Sequence, residues 1–183
     1  MRELSVGMTR IEFVQGDITK QDTDAIVNAA NTTLLGGGGV DGAIHHAGVP
    51  AILAACTPLG GCATGDATIT TGGRLRAKYV VHTVGPVYRD GAHGEPDLLA
   101  SAYRRSLEVA AAHGVTSIAF PSISTGAYRF PIAVAARIAC KTVADVVRAQ
   151  PTIRLVRFVL FGAADLTTYE QALATVAAER TST

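Results

Sequence analysis

Apolar positions along the chain keep switching between two periods. Short runs rich in β-branched and aromatic residues fall at 11–14, 25–28, 66–71, 79–83, 117–120 and 154–161, and each predicts a strand. The run Ala25-Ile26-Val27-Asn28 is nearly all apolar, the pattern of a strand buried on both faces. Between these runs, apolar residues recur every three or four positions. That period predicts helices over 41 to about 56, 98–113, 132–148 and 166–178, the first stopped by Pro58 and the Gly60-Gly61 pair. In the second, Leu99, Ala102, Tyr103, Leu107 and Ala110 share one face, and Gly114 is the expected C-cap. Strands separated by helices predict an α/β sandwich with a mixed, largely parallel central sheet. Additional strands are expected before the first crossover. No linker, low-complexity tract or internal repeat interrupts the pattern, so residues 1–183 are expected to form a single domain.

Composition narrows the class. A chain of 183 residues buries about 70% of its unfolded surface and holds a core without covalent staples. Hydrophobic residues make up 48% and charged residues 17%, as in an ordinary water-soluble domain. The 3 cysteines, Cys56, Cys62 and Cys140, are sparse and odd in number, which argues against a disulfide framework and for a reducing compartment. No apolar run approaches the ~18 residues of a membrane span. The first ten residues are charged and lack the apolar stretch of a secretory signal, so a cytoplasmic location and no membrane partner are expected. The net charge of +1 supplies no basic face, and general nucleic-acid binding is not expected. Arg74, Arg76 and Lys78 alternate, the mark of a solvated strand edge.

The chemistry gathers at strand ends. In open α/β sheets, ligands sit beyond the carboxyl ends of the strands. There the chain reads Gly16-Asp17-Ile18, Asn28-Ala29-Ala30-Asn31, four glycines at 36–39, Ser122 through Tyr128, and Phe161-Gly162. The glycine run opens a helix, so backbone N–H groups can approach an anion while the helix N-terminus adds partial positive charge. A pyrophosphate is the natural guest. Residues 37–42 also satisfy G-x-G-x-x-G, but consecutive glycines do so almost by accident, and no acid closes the next strand to hold a ribose, since Asp66 opens its strand. A nicotinamide-dependent oxidoreductase is therefore disfavoured. No G-K-[ST] follows the glycines, which excludes a P-loop, and no G-x-S-x-G elbow is present. Asp41 and His45 stand four apart and share a helix face. Alone, Asp41 reads as a helix-start acid and His45-His46 as a surface pair. Beside an anion cradle, Asp41 becomes a general-base candidate. Ser122 through Tyr128 offers a second run of N–H and hydroxyl donors for phosphate. The 5 histidines show no paired ligand spacing, and Cys56 and Cys62 have no partner pair. No metal and no cofactor are expected.

The blocks Gly16-Asp17-Ile18-Thr19, Ile26-Val27-Asn28-Ala29-Ala30-Asn31 and Gly36 through His45 together resemble the macrodomain family. The likeness is to its MacroD-type class of ADP-ribosyl hydrolases and O-acetyl-ADP-ribose deacetylases. Val81-His82-Thr83-Val84-Gly85-Pro86 and Phe120 through Gly126 match further blocks. The resemblance implies a three-layer α/β/α fold with a cleft for ADP-ribose, and hydrolysis of carboxylate esters of ADP-ribose. It implies that Asp17 accepts the adenine amino hydrogens beside the Ile18 backbone, and that Phe161 stacks on adenine. Asn31 would hold the distal ribose, and Gly38, Gly39, Val40 and Asp41 would line that ribose and the diphosphate. Ser124, Thr125, Gly126, Ala127 and Tyr128 would wrap the diphosphate. The implied catalytic residues are Asp41 as general base, Asn31, and His45 as helper. The implied partners are ADP-ribose, mono-ADP-ribosylated proteins and O-acetyl-ADP-ribose. The alternative reading is a module that binds ADP-ribose without cleaving it; the joint presence of Asn31, Asp41 and His45 favours the enzyme. Two departures stand out. Behind His45, the segment His46-Ala47-Gly48-Val49-Pro50 is one residue shorter than the class pattern, and the usual acidic run after Phe161 is missing.

Overall fold

The computed structural model describes residues 1–182. Its centre is a 7-stranded sheet in the order β1-β2-β7-β6-β3-β5-β4. The strands are β1 (Glu3–Val6), β2 (Thr9–Gln15), β3 (Ala25–Ala29), β4 (Ala67–Thr71), β5 (Tyr79–Thr83), β6 (Ser117–Phe120) and β7 (Leu155–Leu160). The inner pairings are parallel, and only the edge strands β1 and β4 run antiparallel to their neighbours. The mixed, largely parallel sheet is thus as the pattern predicts, and β1 is the extra early strand. Parallel pairing carries the carboxyl ends of β2, β7, β6, β3 and β5 to one edge.

The alternation of apolar residues along the inner strands divides two cores. Ala25, Val27, Val81, Ile118, Phe120, Phe158 and Leu160 pack on one face with α3 (Glu95–Ala112), α4 (Ile132–Ala149) and α5 (Ala163–Thr181). Ile26, Val80, Ala119 and Val159 point the other way, into a smaller core with Ile44 of α1 (Gly39–Ala47) and Ile52 and Cys56 of α2 (Ala51–Cys56). Helices on both faces make the three-layer sandwich.

The main departure from the pattern is at 41–56, where one helix was expected and two form. Gly48 caps α1. Pro50 then has no N–H to offer the previous turn, and its ring disfavours a helical Val49. A side chain at residue 48 would also strike Ile52, with its Cβ 2.1 Å from Cδ1, so the two short helices close on a glycine. The helices α1, α3 and α5 each begin two or three residues before the expected start, because Gly38, Gly94 and Gly162 serve as N-caps.

Candidate active site

The sheet edge that collects the carboxyl ends opens a cleft of about 300 Å³. One wall comes from the glycine loop and α1, the other from the loop after β6. Among the sequence-predicted residues, Asn31, Gly38, Gly39, Val40, Asp41, Ser124, Gly126, Ala127 and Tyr128 line it.

The glycine wall is built for close approach. Gly38 caps α1 with no side-chain hydrogen bond, so the first N–H groups of the helix have no protein partner of their own. Gly39 has φ +57, and a Cβ on Gly38 or Gly39 would meet nothing within 4 Å, only open cleft. Asn31 holds this loop in shape. Its Oδ1 accepts from the Thr33 amide at 3.1 Å and the Thr33 hydroxyl at 2.6 Å, and its Nδ2 donates to the Gly36 carbonyl at 3.0 Å. One N–H of the amide is left over. It lies beside Gly37, where a Cβ would come 3.3 Å from Asn31 Nδ2 and 3.1 Å from Asp41 Oδ2.

Asp41 sits in the first turn of α1 and is 4% exposed. Its Oδ1 accepts from Asn28 Nδ2 at 2.7 Å, and His45 Nε2 lies 3.4 Å from the same oxygen. Its Oδ2 is buried and has no hydrogen-bond partner. The i,i+4 spacing brings His45 to Asp41 as expected, although His45 stands behind the acid and does not line the cleft.

The opposite wall is strained and anchored from below. Ser124 adopts φ +65, a left-handed conformation that costs a non-glycine residue roughly 1–2 kcal/mol. Its hydroxyl is buried without a partner. Beneath it lie Tyr103 of α3 and Tyr169 of α5, both with no exposed surface. The Ile123 amide donates to Tyr103 Oη at 3.2 Å, and the Tyr169 hydroxyl donates to Ser122 Oγ at 2.8 Å. Burial pushes the Tyr103 phenol up to about 12 and Tyr169 well above its usual value, so both stay protonated donors. Thr125 turns its hydroxyl onto Ser122, at 2.7 Å from Oγ, and does not line the cleft.

Asp17, Ile18 and Phe161 lie outside this cleft. Parallel pairing of β2 with β7, in the register Gln15↔Leu160, brings Asp17 and Phe161 to adjacent strand ends. Phe161 is 88% exposed, an uncovered ring. The hydrogen bond from the Thr19 hydroxyl, outweighing slight burial, holds the Asp17 carboxyl below its usual range. Ile18 is buried in the smaller core.

Two residues were given no role by their sequence context. Asn28 and His82 are fully buried beside Asp41 and directly opposed on β3 and β5. The available signal was polarity inside strands that are otherwise apolar and doubly covered, where buried polar groups need partners. Among the described residues, one group could offer three converging metal ligands, Asp90, His93 and Glu95. The Glu95 carboxylate there is already occupied by the backbone amides of Arg89, Asp90, Gly91 and His93.

The fold and the cleft define an α/β domain that offers a glycine-capped helix start to an anion and a buried carboxylate beside it. Comparison with known proteins agrees: the family model described as "Macro domain" matches residues 27–139. A macro domain-containing protein of Lactiplantibacillus plantarum is 63% identical over 135 residues, covering 74% of this chain and 78% of that protein. A protein of Cronobacter turicensis named O-acetyl-ADP-ribose deacetylase is 53% identical over 168 residues, covering 90% of this chain and 96% of its own. A variant of the Oceanobacillus iheyensis macrodomain, solved with ADPR, superposes with TM-score 0.91 at 41% identity, covering 96% of this chain and 97% of that one. The chain belongs to the macro domain family.

Proposed function

We propose that the cleft binds ADP-ribose and that the protein hydrolyses carboxylate esters of its distal ribose. The substrates are O-acetyl-ADP-ribose and proteins mono-ADP-ribosylated on Asp or Glu. The observation that carries this reading is the buried Asp41, whose Oδ2 lacks a partner at the cleft wall, beside a helix N-terminus with no side-chain cap. A reader module needs the helix N-terminus; it does not need an unpaired carboxylate oxygen buried next to it.

In this reading the amides at the start of α1 hold the diphosphate and the distal ribose from one side, through Gly38, Gly39 and Val40. Residues 124–128 hold the diphosphate from the other. Asp17, the Ile18 backbone and Phe161 receive the adenosine end, and the spare N–H of Asn31 meets the distal ribose. Asp41 Oδ2 accepts a proton from water as the water attacks, and His45 steadies the carboxylate from behind. Either ester yields the same kind of products, ADP-ribose and a free carboxylate. From an Asp or Glu ester, water attacks the ribose carbon, the bond to the ester oxygen breaks and the carboxylate leaves without being protonated, since its conjugate acid has a pKa of ~4. From O-acetyl-ADP-ribose, water attacks the acetyl carbon, and the collapsing tetrahedral intermediate breaks the acyl–oxygen bond and expels the ribose oxygen, which takes its proton from water. The 3 cysteines are free, which suits a reducing compartment, and the cytoplasm is the proposed location. No helix among the described residues is long and apolar enough to cross a membrane.

The test is direct. The protein is incubated with O-acetyl-ADP-ribose and, separately, with a glutamate-ADP-ribosylated protein, and released ADP-ribose is measured. Release from both is expected. Tight ADP-ribose binding without release from either would make the chain a reader.

A further inference from the structure

A hydrogen-bonded relay runs beneath the cleft and takes no part in the mechanism above. Asn28 Nδ2, besides donating to Asp41 Oδ1 at 2.7 Å, lies 3.1 Å from His82 Nδ1. His82 Nε2 lies 2.8 Å from Thr70 Oγ1, and the Thr70 hydroxyl donates to the Thr71 carbonyl at 3.0 Å. The protons of this relay can be counted. The single hydroxyl proton of Thr70 goes to Thr71, so the Thr70 oxygen accepts and His82 Nε2 donates. A neutral imidazole carries one ring proton, so Nδ1 is a bare lone pair. Only an N–H can face it. The other orientation of the Asn28 amide would set its carbonyl oxygen against two acceptors at once, the lone pair of His82 and the carboxylate of Asp41.

We propose that His82 is a positioning residue for the reaction: its unprotonated Nδ1 locks the Asn28 amide with Nδ2 towards Asp41, fixing Oδ1 and leaving Oδ2, the oxygen beside Gly37 of the cleft lining, without a partner. The inference rests on Asp41 acting as the base. His82 is fully buried and does not line the cleft, and it acts only through Asn28. Its surroundings keep it neutral, since burial first, and the nearby His45 second, push its imidazolium down to about 4. The Cys56 thiol, 3.6 Å from Nε2, fills the remaining side. A proton on Nδ1 would favour the opposite amide orientation and turn a carbonyl oxygen on Asp41.

Two substitutions separate orientation from packing. In His82→Asn, the side-chain oxygen falls near the position of Nδ1 and can still accept from Asn28. In His82→Gln, the longer amide reaches the Nε2 position, meets Thr70 and leaves Asn28 without its acceptor. For release of ADP-ribose from O-acetyl-ADP-ribose, His82→Gln should lower kcat by about 10–100-fold, the loss typical when an outer partner of a working ligand is removed. KM should move little, the pattern of lost transition-state stabilisation. His82→Asn should recover most of the rate. Equal losses in the two variants, tracking their melting temperatures, would reduce His82 to packing and overturn the proposal. A second measurement needs no activity and no variant. Nitrogen-15 resonances of the wild-type His82 ring should show Nε2 protonated and Nδ1 bare throughout pH 5.5 to 8, a window that lies above the value of about 4 to which burial pushes the ring. A ring protonated at Nδ1 in that range overturns the proposal even if both variants fail to fold. If the wild type releases no ADP-ribose from either ester while the ring shows the expected tautomer, the functional reading fails and the amide lock stands.

Discussion

Replacing Asp41 with Asn exchanges one oxygen for an NH2 and leaves the shape of the site in place. The side chain is 6% exposed, so the new amide cannot rotate freely into solvent. Asn28 Nδ2, which faces Asp41 Oδ1 at 2.7 Å, still requires an acceptor. The amide oxygen of the variant therefore takes the Oδ1 position and its NH2 takes the position of Oδ2. A donor then stands where a buried, unpartnered carboxylate oxygen had stood, and nothing remains to accept the proton of water. A general base contributes ~10²–10⁴-fold to rate, which is ~2.7–5.4 kcal/mol of activation free energy at ~1.36 kcal/mol per decade. Ligand affinity should not fall with it. The diphosphate contacts proposed for the backbone at Gly38 and Gly39 do not involve the carboxylate, and removing a negative charge near a diphosphate favours binding. The assay is steady-state release of ADP-ribose from O-acetyl-ADP-ribose, paired with calorimetric titration of ADP-ribose. The reasoning predicts kcat down by two to four decades at equal or tighter Kd. A folded Asp41→Asn protein that turns over within about tenfold of wild type, well short of the loss expected of a base, would refute it and leave the substrate's own phosphate to activate water.

Gly85→Ala should disrupt the opposite wall, because its Cβ would fall 2.1 Å from Ser124 Oγ and 2.5 Å from Ile123 Cγ2; the overpacking cost of about 1–3 kcal/mol should appear as a lower melting temperature and weaker ADP-ribose binding, and unchanged affinity would mean that this loop does not grip the ligand. Serine-linked and arginine-linked ADP-ribose should stay intact under conditions that clear a glutamate-linked peptide, since those leaving groups are basic and need a proton that Asp41, acting as base, does not supply; comparable rates on matched peptides would show that a general acid has been overlooked. For Glu95, burial raises the carboxyl pKa, but the backbone amides of Gly91, Arg89 and Asp90 outweigh it and bring the group from 4.5 to about 2. A lowered folded-state pKa contributes stability that is complete above pH 4.5 and is lost as pH falls towards 2, so melting temperatures measured across that window should fall less steeply for Glu95→Gln, and parallel curves would contradict it.

Much of this architecture could be read from residue order. The period of apolar residues located the inner strands to within a residue or two, because strands buried on both faces leave long unbroken apolar runs such as Ala25-Ile26-Val27. The glycine loop was legible because few other residues allow so close an approach to a helix start. The break at Gly48-Val49-Pro50 was harder, since Ile44 and Ile52 keep helical spacing across it and both pack in the same core. Asn28 and His82 were not readable as a pair at all. They lie far apart along the chain and meet only through the parallel register of β3 and β5, which no local pattern specifies. Thr125 shows the converse. A hydroxyl in a loop rich in donors suggests a ligand contact, whereas here it is spent on Ser122.

The two tyrosines under the loop after β6 tie the far end of the chain to the cleft. Tyr169 belongs to α5, and its hydrogen bond to Ser122 at 2.8 Å couples the seating of that helix to the shape of the loop. Coupling of this kind is reciprocal. A ligand that holds the loop must slow the local opening of α5, and anything that loosens α5 must weaken the ligand by the same free energy. The amide hydrogens of α5 therefore form a remote gauge of cleft occupancy, legible by isotope exchange on the opposite face of the sheet from the glycine helix.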